Sequence, residues 1–240
     1  MKIDESSSKD GKVDDKPNST DDEEGDIFLV ETTNVTSGAK QERTILERKA
    51  QLQCLQEMGL TLQQTAALKK KAKARGKDYI GGPPDPELGK KAAGVGIMAA
   101  KGLNIYPVPN PTKDYTDAVK TGRVIIVCMD LDGQRMACAT IYGWTGAKKG
   151  SVEAARTDDL IAIVLDQFER MGKGPNMLSG DLNATIDALP SLQHMISEMG
   201  WTDIGNHQGI CKGKQGMATC QSNAGVKESR IDYLFAKHTY

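Results

Sequence analysis

The sequence predicts an α/β protein of one domain, built on mixed, mostly antiparallel sheet, on three observations. Apolar runs of strand length outnumber stretches of helical periodicity. The runs Arg123 to Met129 and Met136 to Tyr142 flank Asp132-Gly133, an antiparallel hairpin signal. The helical stretches are interspersed among the strands, the order of a layered α/β domain.

In chain order, Ile27-Phe28-Leu29-Val30 opens a strand that runs to Asn34. Ile45, Leu46 and Leu52 among charged neighbours predict a helix over 41–52, and Gln53 to Glu57 a short buried strand. Thr61 can cap a helix through Ala74, with Gly76 as its stop. That helix ends in six cations within nine residues, Lys69 to Lys77. The helix dipole favours cations there, so a solvated helix end is the simpler reading and a phosphate-backbone contact the second. Gly81-Gly82-Pro83-Pro84-Asp85-Pro86 is a loop, and Gly94 to Met98 a strand. Beyond the hairpin, Leu160, Ile161, Ile163, Val164, Phe168 and Met171 mark one face of a helix from Ser151 to Met171. Asn176 to Ser179 is a strand, Pro190-Ser191 opens a helix over Leu192 to Met199, and Ile231 to Phe235 is the last strand. No internal repeat and no domain boundary follow residue 27.

Hydrophobic residues make up 38% of the 240, mean hydropathy is −0.46 and formal net charge is −1. These values suit a globular core with a solvated remainder. Residues 1–26 hold ten acids against four lysines, a local charge of −6, which predicts a disordered acidic tail and leaves +5 on the rest. That balance is compatible with a polyanionic ligand. Five cysteines are scattered and odd in number, and the N-terminus has no apolar signal region. The expectation is an intracellular, unsecreted protein with reduced thiols, the nucleus among its compartments. No stretch is long enough to span a bilayer, so no membrane partner is expected.

Two strings carry chemistry. Gly180-Asp181-Leu182-Asn183 lies where an apolar strand runs into polar residues. On this extended segment Asp181 and Asn183, at i and i+2, point to one side, a carboxylate beside an amide. Ser229-Arg230-Ile231-Asp232-Tyr233 puts a second acid in an apolar strand, where burial without a partner is costly. With Glu57 as a third acid, the set suggests hydrolysis of a phosphate ester. Each residue also has an ordinary reading. Asn34 and Asn183 would be turn or strand-end residues, Glu57 a helix-cap or solvated acid, Tyr142 a core aromatic, and Asp232 a partner of Arg230 or Lys237.

In order, Asn34, Gln56-Glu57, Gly94-Val95-Gly96-Ile97, Ile141-Tyr142-Gly143, Gly180-Asp181-Leu182-Asn183 and Ser229-Arg230-Ile231-Asp232-Tyr233 resemble the endonuclease/exonuclease/phosphatase superfamily, the DNase I-like proteins. Within it the chain looks most like the apurinic-type endonuclease domain of LINE-type retrotransposons. The resemblance spans 27–240 and implies a four-layer α/β/β/α sandwich of two mixed, mostly antiparallel sheets. It implies that Glu57 and Asn34 hold a divalent metal, Mg²⁺ with Mn²⁺ as the alternative. Asp181 would orient or deprotonate the attacking water, with Asn183 on the phosphate. Tyr142 would stand near the leaving group, Thr219 would contact the phosphate, and Asp232 would orient a catalytic histidine. The family pattern ends in a Ser/Asn-Asp-His triplet with no counterpart here. His194, His207 and His238 match no motif position, and the expectation is a C-terminally incomplete domain without its last strand. Gly143-Trp144-Thr145 stands where relatives often carry Pro-Asn after the tyrosine, and Cys220 where many have Trp. The implied activity is metal-dependent phosphodiester hydrolysis, an endonuclease of retroelement origin nicking DNA, acting as a monomer. Two alternatives stay open: a catalytically impaired remnant that at most binds nucleic acid or metal, and a phosphoesterase of inositol phosphates or sphingolipid headgroups.

Overall fold

Residues 124–131 and 134–142 pair antiparallel as the hairpin that the sequence predicts, at the centre of the larger of two main sheets. The computed structural model describes residues 28–87, 94–131, 133–207, 215–221 and 228–237. The predicted acidic tail, Ile27, Asp132 and His238 lie outside them. The strands are β1 Val30–Asn34, β2 Leu52–Gln56, β3 Lys77–Gly81, β4 Gly96–Ala100, β5 Tyr106–Pro107, β6 Val124–Leu131, β7 Gln134–Tyr142, β8 Asn176–Asp181, β9 Thr202–Asp203, β10 Cys220–Gln221, β11 Glu228–Ser229 and β12 Asp232–Lys237. The helices are α1 Gly38–Glu47, α2 Leu62–Ala74, α3 Lys113–Val119, α4 Val152–Arg170 and α5 Pro190–Ser197.

One sheet has the order β1-β2-β4-β3 and the other β5-β6-β7-β8-β12-β9; β10 and β11 pair apart. The β1–β2 and β7–β8 pairs are parallel, and the others antiparallel. The sheets face each other. Leu52, Cys54, Ile97 and Ala99 of one meet Ile125, Val127, Met129 and Cys138 of the other in a shared core. There Cys54 Sγ stands 3.5 Å from Cys138 Sγ, both thiols free. Alternate residues of β6 point the opposite way, Val124, Ile126 and Cys128 packing with α4 residues Ile161, Val164 and Phe168. Burial on both faces is why β6 reads as an unbroken apolar run. On the far side, Leu55, Met98 and Tyr79 pack with Ile45 and Leu46 of α1 and Leu68 and Ala72 of α2. The result is the expected α/β/β/α sandwich.

The capped α2 forms as its sequence indicates: Thr61 and Gln64 close a reciprocal capping box, and Gly76 follows at φ +71°. Other expectations need correction. Leu52 does not end a helix. The chain turns extended at Arg48, and Leu52 opens β2 between Val30 and Ala99. β8 runs on through Asp181, and the last strand starts at Asp232. β3, β5 and α3 were not legible. Only Tyr79 is fully buried in β3, β5 is two residues long, and α3 buries only Tyr115 and Ala118. Among the described residues no helix is long and apolar enough to cross a membrane.

Candidate active site

Strand direction gathers the motif residues. The parallel pair β1–β2 ends in Asn34 and, just past Gln56, in Glu57. The parallel pair β7–β8 ends in Tyr142 and Asp181 as Cα partners. Antiparallel β12 begins where β8 ends, so Asp232 stands opposite Asp181. All of these lie at one end of the sandwich, where loops leave the strands.

Side chains join the two sheets across this end. Asn34 Nδ2 donates to Asp181 Oδ2 at 2.8 Å, and the Tyr142 hydroxyl to Glu57 Oε1 at 2.6 Å. Behind them the buried Gln56 amide donates to Thr140 Oγ1 at 2.7 Å, another link between sheets. Glu57 leaves β2 in a left-handed conformation, φ +52°, a conformation costly for a non-glycine residue and common at functional sites. Thr219 Oγ1 accepts from the backbone N–H groups of Ile231 and Asp232, both at 3.1 Å, and so ties its loop to the start of β12.

Asn183 is not on an extended segment. At φ +52° the chain has turned, and its N–H caps Asp181 Oδ1 at 3.0 Å. Its side chain nevertheless returns to the site, Nδ2 donating to the Gly143 carbonyl at 3.2 Å. Two glycines permit this crowding. A Cβ on Gly180 would strike the Ile141 carbonyl, and one on Gly143 the Leu182 carbonyl.

The electrostatics follow from three acids in a confined space. Asp181 is only 4% exposed. Burial first, and then the charge of Asp232, raises its carboxyl to about 6; hydrogen bonds from Asn183 and Asn34 oppose the rise, and Glu57 adds to it. Asp232 is raised by burial and by Glu57, against Thr219 and Arg230. Burial, then the Glu57 hydrogen bond and charge, raises the Tyr142 phenol, so it stays protonated and able to donate. Arg230 does not neutralise Asp232 by a direct bridge; its bidentate partner is Asp203, at 2.6 Å. A crevice of about 560 Å³ opens beside the cluster, lined by Thr33, Asn34, Thr219, Arg230, Asp232 and Tyr233.

No three His, Cys, Asp or Glu side chains among the described residues are arranged to hold an ion by themselves. Asn34 and Glu57, the pair that the resemblance assigns to a divalent cation, stand at the ends of the neighbouring strands β1 and β2. His194 lies on α5 and His207 beyond β9, and neither bonds to the cluster. Trp144, in the stretch that departs from the family pattern, is a core residue 9% exposed. The sequence reading missed Gln56 as a bridge between sheets, and it missed Arg123 and Asp85. A charged pair inside an apolar run and a Gly-Pro loop was the available signal.

Two facing mixed sheets, helices outside and a polar cluster at one end make this a protein of DNase I-like fold, the fold of the endonuclease/exonuclease/phosphatase superfamily. An AP endonuclease from Archaeoglobus fulgidus superposes with a TM-score of 0.61 at 13% identity, over 88% of this chain and 86% of that one. The 3′ phosphatase NExo from Neisseria, bound to a product DNA hairpin, gives 0.60 at 17% identity, over 88% and 86%. The endonuclease domain of TRAS1, a telomere-specific non-LTR retrotransposon, gives 0.55 at 16%, over 87% and 84%. The sequence matches no protein-family model and no curated protein.

Proposed function

We propose that this chain is a divalent-metal-dependent phosphodiester hydrolase, an endonuclease of retroelement type that nicks DNA. The observation that carries the reading is the convergence of Asn34, Glu57, Tyr142, Asp181 and Asp232 from five strands at one end of the sandwich. Neighbours of the same fold that include a DNA-bound phosphatase and a retrotransposon endonuclease domain support the choice of DNA. So does the +5 carried outside the acidic tail.

Each residue has a task that its surroundings suit. Asp181, raised to about 6, is ionised at neutral pH yet basic enough to accept a proton from an attacking water. Asn34 and the Asn183 backbone hold both its oxygens and so fix the direction of that transfer. Asn183 Nδ2 spends one hydrogen on Gly143 and keeps a second for a phosphate oxygen. The protonated Tyr142 phenol stands ready near the leaving oxygen. Thr219 borders the same crevice and serves as a phosphate contact. Glu57 and Asn34 would hold Mg²⁺ or Mn²⁺, which when bound neutralises charge on the phosphate. Asp232 keeps Asp181 basic through its charge.

Supercoiled plasmid, single-stranded RNA and inositol phosphates, each offered with Mg²⁺ and again with EDTA, test the proposal. Plasmid nicking that EDTA abolishes is the expected result. Preferential hydrolysis of inositol phosphates or RNA would move the substrate, and metal-independent cleavage would remove the class.

A further inference from the structure

Arg123 and Asp85 belong to no motif, yet they form a buried ion pair, Nε to Oδ2 at 2.8 Å with side chains 3% and 2% exposed. Desolvation makes such a pair weak evidence for stability, so a second role is worth seeking. The guanidinium supplies one. Its Nη1 donates to the Gly143 carbonyl at 2.9 Å and approaches the Tyr142 carbonyl at 3.4 Å. The Tyr142 N–H in turn donates to the Arg123 carbonyl at 2.8 Å. The oxygen of Gly143 is thus shared between Arg123 and the Asn183 side chain.

A clamp surrounds this node. The Arg123 guanidinium lies 5.2 Å from the Tyr142 ring centre and 4.6 Å from that of Trp144. Arg156 lies 4.2 Å from the Trp144 ring centre and bridges to Glu87. Asp85 Oδ1 accepts from the Glu87 N–H at 2.7 Å. Two arginines therefore pin the loop carrying Asp85 and Glu87 against Tyr142 to Trp144, and no side-chain hydrogen bond runs from either arginine to Asn34, Glu57 or Asp181.

Resting on the active site proposed above, we infer that the Arg123–Asp85 pair is a positioning element that fixes the Gly143 carbonyl and, through it, the Asn183 amide and the Tyr142 hydroxyl. Reacting groups must be held to within a fraction of an ångström, so a small drift of this segment lowers the chemical step more than substrate binding.

The double variant Asp85→Leu/Arg123→Met removes both charges together and avoids stranding one of them in the core. Arg123→Lys is the second variant; it keeps a cation for Asp85 but lacks the fork that also reaches Gly143. With plasmid and Mg²⁺, each variant should lose about tenfold to a hundredfold in kcat with KM little changed. Asn183→Ala added to either should cost far less than in the wild type, because its anchor is already loose. The side-chain amide resonance of Asn183, assigned by its loss in Asn183→Ala, gives a readout independent of turnover. It should shift and exchange faster in both variants. Unchanged kcat with an unmoved Asn183 amide, or losses that multiply independently, would overturn the inference. A wild type that hydrolyses nothing would instead defeat the functional reading, and the Asn183 amide would still decide the positioning claim.

Discussion

Asp181 and Asp232 face each other across the β8–β12 ladder, and like charges so placed oppose each other's ionisation. Burial does more, and together they lift Asp181 from 3.8 to about 6. A carboxyl raised on folding stabilises the fold most below its unfolded value. That contribution is lost as pH rises through the folded value. In metal-free protein, Asp181→Asn should therefore gain on the wild type by about 2–3 kcal/mol between about pH 4 and about pH 8. Urea unfolding in EDTA measures this, and parallel stability curves for the two proteins would contradict it. Residue identity here was legible: Asp181, Asp232 and Glu57 stand out as acids beside apolar runs. Conformation was not. An extended Asn183 and a left-turned Asn183 have the same sequence, and the turn goes with two contacts made on folding, its N–H on Asp181 Oδ1 and its side chain on the Gly143 carbonyl.

The exits of β7 and β8 depend on close backbone approach. Gly180 is the Cα partner of Ile141, and a Cβ there overlaps the Ile141 carbonyl with no side chain free to yield. Gly180→Ala should cost about 3 kcal/mol or more, from overlap in a packed ladder. Gly172→Ala is the control: φ is +82° but nothing lies within 4 Å of the added carbon, so the cost is about 1 kcal/mol of backbone strain. Urea midpoints compare them, and equal losses would mean that conformation rather than contact is the constraint. Elements with a strong pattern, α2 with its capping box and α4 with its apolar face, were readable in the chain. β3 and α3 were not, because each buries one or two side chains and takes its structure from neighbours rather than from periodicity.

At the scale of the molecule, two sheets share one core and the cluster exists only where they meet. Asn34 and Glu57 come from one sheet, and Tyr142, Asp181 and Asp232 from the other. Motif order along the chain pointed to the layered fold, but sheet order did not follow from it. β4 sits between β2 and β3, and β12 between β8 and β9, arrangements that local patterning leaves undetermined. Convergence then follows from two parallel pairs that end together. The central claim is that this shared end hydrolyses phosphodiesters with Asp181 as the proton acceptor. The most direct measurement is the rate of supercoiled-plasmid nicking in Mg²⁺ by the wild type and by Asp181→Ala, whose fold is first checked by circular dichroism. The account predicts nicking by the wild type and a loss of about a hundredfold or more in the folded variant. Equal rates from the two proteins would contradict it.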